Sequence, residues 1–248
     1  MLEQSIIFII SFVANVFSAF SGGGAGLIQL PAIIFLGLPF SVALATHKIA
    51  SVSLGLGATV RHLKGNKFTR TYVLLMLSGI PGAYTGANLI LFVPDVIATT
   101  LLGIMTIGLG LYSILSPDLG QHIQLKKLSL PRIITGSIGL FFIGILNGSL
   151  TSGTGLFVTL WLILFFGLDY KLAVAYTLVF VGLLWNGTGA VTLGLLGEVH
   201  WPWLPALLLG SLLGGYIGAH LSIIAGNRWI KRGYEWVTIL IGLKLIWL

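Results

Sequence analysis

Two glycine-rich stretches, each set between apolar runs, constrain this chain more than any other feature. Phe20-Ser-Gly-Gly-Gly-Ala-Gly-Leu-Ile-Gln-Leu-Pro31 follows one apolar run and opens another, and Asn147-Gly-Ser-Leu-Thr-Ser-Gly-Thr-Gly-Leu-Phe157 does the same in the second half. In a soluble protein such clusters make surface turns. Here the flanks are hydrophobic enough for a bilayer, where irregular backbone survives only if it is buried in protein or lines a cavity. Interrupted hydrophobic segments at matching positions of two halves point to a transporter's binding site. The two stretches therefore read as opposite walls of one site within the membrane.

The bilayer reading rests on composition: 56% of residues are hydrophobic and 8% charged, with mean hydropathy +1.05, against a soluble norm of about 25% charged. At about 20 residues per spanning helix, 248 residues leave little for a soluble domain, so one membrane domain is expected. Cysteine is absent, which excludes disulfides and thiol chemistry. The net charge of +7 comes from short basic clusters between apolar runs, a topology signal and not a nucleic-acid surface. Met-Leu-Glu-Gln precedes the first apolar run without a basic region, which argues against a cleaved signal peptide.

Apolar segments run approximately over 4–20, 27–37, 41–60, 72–92 and 96–116, then over 133–149, 155–166, 171–195, 203–224 and 233–248. The second of each five is too short to cross a full hydrocarbon core comfortably, so short, broken or re-entrant helices are expected there. Gly82-Ala-Tyr84-Thr-Gly86-Ala87-Asn88 parallels Gly214-Gly-Tyr216-Ile-Gly218-Ala219-His220, which suggests an internal repeat. The basic loop between Arg61 and Arg70 has a partner, Gly197 to Trp203, without Lys or Arg. One loop later the sign reverses, from Phe92-Val-Pro-Asp95 to Gly226-Asn-Arg228-Trp-Ile-Lys231-Arg232. By the positive-inside rule the matching loops lie on opposite sides. The expected fold is thus an all-α integral membrane protein of two inverted repeats, about 1–116 and 133–248, joined by a cytoplasmic linker at about 117–132. Both termini then fall outside.

A family resemblance enters through Gly22-Gly-Gly-Ala-Gly-Leu-Ile-Gln-Leu-Pro31, Gly37-Leu-Pro39, Val42-Ala-Leu-Ala-Thr46, Arg61-His62 with Gly65-Asn66, Pro81-Gly82 and Thr85-Gly86. In that order they resemble the sulfite exporter TauE/SafE membrane transporters, closely in the first half and loosely in the second. The resemblance implies a multi-pass transporter, in the bacterial cytoplasmic (inner) membrane, of small sulfur-containing or carboxylate anions such as sulfite or sulfoacetate, moved usually outward. One departure is His47-Lys48, where the family has a small polar residue and then an apolar one.

Lys48 lies thirteen residues before Arg61 in a continuous apolar run, about 20 Å from that end at 1.5 Å per residue. An ionisable group at that depth costs at least about 2.5–3.5 kcal/mol and reads as functional, here as an anion-binding cation; the alternative is a lysine snorkelling to the external face. His47 supplies a hydrogen-bond donor or titrating group, or packs as a neutral core residue. Gly23, Gly24 and Gly26, with Thr151, Ser152, Gly153 and Thr154, present backbone N–H groups at helix N-termini, where the positive dipole end favours an anion; close helix packing is the alternative. Gln29, Asn147, Ser149, Thr151, Ser152 and Thr154 add neutral donors, each of which could instead bond a neighbouring helix. Thr46, Ser51, Ser53, Thr177 and Asn186 are weaker candidates, and Asn88 and His220 occupy equivalent repeat positions without a clear facing.

All six acidic residues, Glu3, Asp95, Asp118, Asp169, Glu198 and Glu235, are expected in loops or near helix ends, so a buried carboxylate proton carrier is missing. Export of an anion needs no coupling, since an inside-negative potential favours it by about 2.3 kcal/mol per charge per 100 mV. A secondary transporter working by alternating access, with a small anion and lipid as partners, no cofactor, no metal and no nucleic acid, is the leading reading, and a homodimer is compatible with it. A carboxylate transporter, a channel or a non-transporting accessory component are the alternatives. An enzyme is the weakest, because nothing stands near the glycine stretches to activate a serine.

Overall fold

A computed structural model describes residues 2–64, 68–90, 95–150 and 153–246, and every regular element among them is helical. The first half contains α1 (Leu2–Ser21), α2 (Ala25–Phe35), α3 (Phe40–His62), α4 (Arg70–Leu77), α5 (Gly79–Leu89) and α6 (Asp95–Leu115). The second contains α7 (Leu130–Leu150), α8 (Thr154–Phe166), α9 (Tyr170–Tyr176), a π-helical stretch (Thr177–Trp185), α10 (Asn186–Leu196), α11 (Leu204–Ala225) and α12 (Asn227–Ile246). Lipid cannot satisfy backbone polar groups, so an apolar chain is driven into helices that satisfy their own. Among the described residues four helices are long and apolar enough to cross a membrane: Leu2–Ser21, Leu130–Leu150, Tyr170–Leu196 and Trp201–Ala225. Ile9, Phe17, Phe142, Val191 and Leu240 are each more than half exposed on the outer face, as expected of side chains meeting hydrocarbon. This is a membrane protein.

The ten apolar segments appear in order, with three differences of physical interest. The fourth segment is two helices. Pro81 has no N–H for the carbonyl of Leu77; the chain breaks there, and Ser78 Oγ bonds Leu75 O at 2.6 Å and Ser137 O at 3.1 Å. The eighth segment passes through nine π-helical residues. The last helix begins at Asn227, so Glu235 lies inside α12 and not near its end; it is paired with Lys231 one turn earlier.

α2 and α8 have 11 and 13 residues, about 16 and 20 Å at 1.5 Å per residue, well short of a 30 Å core. The most extensive helix packing is exchanged between halves: α1 and α3 pack on α11, α5 on α7, and α6 on α12. Glycines make this possible. A Cβ at Gly82 or Gly86 of α5 would lie 2.1 Å from Phe141 O or 2.0 Å from Ile145 O of α7. At Gly214 or Gly218 of α11 it would lie 2.6 Å from Phe12 O or 2.3 Å from Val16 O of α1. The fourth segment of each half thus presses its backbone on the first segment of the other, which is how small residues hold membrane helices together. At the centre α3 crosses the π-helical stretch where a Cβ on Gly55 would stand 2.5 Å from the carbonyl carbon of Gly182.

The linker lies along the end of α8. Gln124 N donates to Gly167 O at 2.8 Å, Lys126 N to Phe166 O at 3.1 Å and Lys126 Nζ to Leu164 O at 2.6 Å, so a cation meets the negative helix terminus. Asp169 ties the same end together: Oδ1 accepts from Leu172 N at 2.9 Å as the cap of α9, and Oδ2 accepts from Asn227 Nδ2 at 2.9 Å at the start of α12. Asp169→Ala removes both, and thermal unfolding in detergent is expected to show a loss of about 1–2 kcal/mol, with transport retained.

Candidate substrate site

The two glycine stretches meet. Gly22, Gly23 and Gly24 all have positive φ, 90°, 151° and 109°, which carries the chain from the end of α1 into α2 with no side chain in the way. Gly22 O accepts from Thr159 Oγ1 of α8 at 3.1 Å, and a Cβ on Gly23 would stand 2.8 Å from Gly155 C. The N-termini of α2 and α8 therefore face one another across a cavity of about 40 Å³, lined among others by Gly24, Gly26, Thr154 and Gly155. By the measure in which one water needs about 10–15 Å³, this is room for about three waters or one small oxyanion. Two positive helix ends point into it, and among the described residues no acidic side chain lines it.

The polar wall is built by α3, α7 and the π-helical stretch with α10. His47, Ser51, Asn147, Thr177 and Asn186 line the cavity. Gln29 Nε2 donates to Ser11 Oγ at 2.9 Å, so its Oε1 faces His47 Nδ1 at 2.8 Å. That assigns the imidazole proton to Nδ1 and leaves Nε2 to accept from Ser51 Oγ at 3.1 Å. The same relation recurs in the second half, where Thr159 Oγ1 bonds Thr177 Oγ1 at 3.0 Å over the same sequence separation. Behind Gln29, Ser11 Oγ bonds Leu207 O at 2.8 Å and Ser211 Oγ at 3.0 Å, and Asn15 Nδ2 reaches Ser211 Oγ at 3.0 Å.

Lys48 is fully buried, which removes the snorkelling alternative. It does not line the cavity. It sits directly behind the cavity wall, with Nζ 2.6 Å from Asn147 O, 3.3 Å from Asn147 Oδ1 and 3.4 Å from Asn186 Oδ1. The two amides that it touches, Asn147 and Asn186, do line the cavity.

Among the other residues singled out from the sequence, Gly23, Gly24, Gly26, His47, Asn147 and Thr154 come together on the cavity, while Gln29 stands one layer behind His47. Gly153, with φ 75°, caps α8 and accepts from Leu156 N at 2.9 Å. Ser149 Oγ turns back to Ile145 O at 2.9 Å, away from the cavity. Thr151 and Ser152 lie outside the described residues. Of the weaker candidates, Ser51, Thr177 and Asn186 line the cavity, and Thr46 and Ser53 do not. Asn88 and His220 face away: Asn88 Nδ2 bonds Tyr84 O at 2.8 Å, and His220 Nδ1 accepts from Arg61 Nε at 2.8 Å. Sequence reasoning missed Ser18, which lines the cavity, and the Ser11–Asn15–Ser211 cluster. Ser11, Asn15 and Ser18, four and three residues apart, form one polar face on an apolar helix, a signal that was available.

An apolar helical shell around a small polar cavity, with short helices aiming their ends into it, is the architecture of a membrane transporter. The chain belongs to the family described as Sulfite exporter TauE/SafE, which matches residues 7–245. A probable membrane transporter protein of Haemophilus influenzae is 26% identical over 98% of this chain and 94% of that protein. The probable membrane transporter protein YfcA of Escherichia coli K12 is 26% identical over 99% and 90%. The probable membrane transporter protein YunE of Bacillus subtilis 168 is 24% identical over 98% and 97%. No solved structure matches the chain.

Proposed function

We propose that this protein is a secondary transporter of a small sulfur-containing oxyanion, of about the size of sulfite, across the bacterial cytoplasmic membrane. The observation that carries the reading is the cavity of about 40 Å³ between the N-termini of α2 and α8, lined by no acidic side chain among the described residues and backed by the buried Lys48. In this role the N–H groups at Gly24 to Gly26 and at Thr154 to Gly155 face the oxyanion, Asn147 and Asn186 orient it, His47 and Ser51 close one side, and Lys48 supplies positive potential from behind. A larger sulfonate such as sulfoacetate requires the cavity to widen. The halves act as inverted repeats of one domain that rock about the site; the exchanged glycine contacts and the Lys and Arg asymmetry of the loops support that arrangement. With net negative charge moved, the membrane potential favours export.

The test is counterflow in proteoliposomes with sulfite, thiosulfate, sulfoacetate and acetate. Saturable exchange of sulfite, with sulfoacetate slower, is expected. Exchange of acetate alone would make this a carboxylate carrier, unsaturable flux a channel, and no flux of any anion an accessory component.

A further inference from the structure

A chain of side chains with a fixed hydrogen-bond direction runs from α11 to the cavity. Its anchor is a backbone carbonyl: Ser11 Oγ donates to Leu207 O at 2.8 Å, and a hydroxyl has a single hydrogen to give. Ser11 Oγ is therefore the acceptor for Gln29 Nε2 at 2.9 Å. That turns Gln29 Oε1 toward His47 Nδ1 at 2.8 Å and places the imidazole hydrogen on Nδ1. A second hydrogen would make the ring a buried cation next to Lys48, with an amide and a hydroxyl at its nitrogens, whereas a buried charge needs a charged partner. Nε2 keeps its lone pair, and Ser51 Oγ donates to it at 3.1 Å. The one hydroxyl hydrogen of Ser51 is thereby used.

His47 and Ser51 both line the cavity, so the chain ends there in the lone pairs of Ser51 Oγ. Thr177, also on the cavity wall, is set the other way. Its Oγ1 accepts from Thr159 Oγ1 at 3.0 Å, which leaves its own hydrogen for an occupant. A fully ionised oxyanion has acceptors alone, and at Ser51 it meets lone pairs with lone pairs. An oxyanion that keeps one O–H donates to them. We propose that the transported species is a singly protonated oxyanion, hydrogensulfite and not the sulfite dianion, with Ser51 Oγ accepting its O–H. His47 is a positioning residue that holds Ser51 in the acceptor role. This assignment rests on the anion-transport reading above and fixes the protonation state of its substrate.

The test uses two anions of similar size and equal charge, hydrogensulfite and methanesulfinate, which differ by an O–H in place of a methyl group. Their binding is measured by isothermal titration calorimetry on the purified protein in detergent, at a mildly acid pH where sulfite is mainly hydrogensulfite. Native protein is compared with Ser51→Ala, which deletes the acceptor, and with His47→Asn. The asparagine keeps an N–H for Gln29 but has no counterpart of Nε2, so Ser51 regains a hydrogen to donate. The native protein is expected to bind hydrogensulfite about tenfold or more tighter than methanesulfinate, since a site built around a substrate hydroxyl rejects the analogue that lacks it. Ser51→Ala loses this preference by weakening hydrogensulfite alone. His47→Asn loses it by tightening methanesulfinate, because the freed hydroxyl donates to the oxygens that both anions share. A merely structural role for either residue lowers both affinities together. Methanesulfinate bound by the native protein as tightly as hydrogensulfite overturns the proposal, and so does an unchanged preference in either variant. The native comparison decides even where a variant is not recovered folded. Binding of neither anion defeats the oxyanion-transport reading and this assignment with it, whereas equal binding of both defeats this assignment alone.

Discussion

Gly23→Ala is expected to abolish transport and most of the folded yield, while Gly37→Ala is tolerated. Both glycines have positive φ, 151° and 105°, so each substitution carries backbone strain of roughly 1–3 kcal/mol. They differ in what the new methyl meets. At Gly23 it would stand 2.8 Å from Gly155 Cα and C and from Leu156 N, all backbone of the facing stretch, whereas at Gly37 nothing lies within 4 Å. A backbone cannot rotate aside as a side chain can. Overpacking there adds roughly 1–3 kcal/mol, and the sum is comparable with the whole stability of many proteins, about 5–15 kcal/mol. Unfolding temperature in detergent and counterflow in liposomes measure the two effects. If Gly23→Ala behaves like Gly37→Ala, the two glycine stretches are not in contact and the cavity between them does not exist as described.

Lys48→Met is expected to separate function from stability. Removing the ammonium takes a charge out of the membrane interior, a relief of about 2.5–3.5 kcal/mol on insertion scales. It also removes the charge-assisted hydrogen bond that Asn147 O accepts from Lys48 Nζ, worth about 1.5–3 kcal/mol. These oppose and nearly cancel, so the unfolding temperature should move little. An anion in the cavity loses the only buried cation behind its wall among the described residues. If that charge contributes as a charge-assisted hydrogen bond does, about 1.5–3 kcal/mol, transport efficiency falls by roughly tenfold to a hundredfold. Initial counterflow rates over a range of sulfite concentrations read this directly. Native rates with a lowered unfolding temperature would make Lys48 a structural residue only.

The architecture was readable because its signals are costly in a membrane. Glycine clusters between apolar runs have few uses there, and the meeting of Gly22 and Gly23 with Gly155 follows from pairing them. A lysine far from the basic loops could only be buried or snorkelling, and it is buried. The depth of Lys48 behind the wall was not readable, since sequence spacing gives height along α3 but not which layer of a packed interior the ammonium reaches. Thr177 to Trp185 is uniformly apolar apart from its first residue, and nothing local announces a π-helix. Ser149 illustrates a third limit: an oxygen that bonds its own helix at Ile145 O and one that faces a ligand are the same letter. The break at Ser78, by contrast, was written in Pro81.

The bond between Ser11 and Ser211 joins residues 200 positions apart, and this separation sets a schedule for synthesis. α1 leaves the ribosome well before α11, and the Ser211 partner of its polar face arrives only about 200 residues later. At about 5–20 residues per second, Ser11, Asn15 and the glycine contacts at Phe12 and Val16 wait on the order of 10–40 s for completion. During that interval a helix whose polar stripe lacks its α11 partners stands in lipid or beside the insertion machinery. Nascent chains stalled before α11 should therefore be the form that cellular membrane proteases remove, and the finished protein the form they spare.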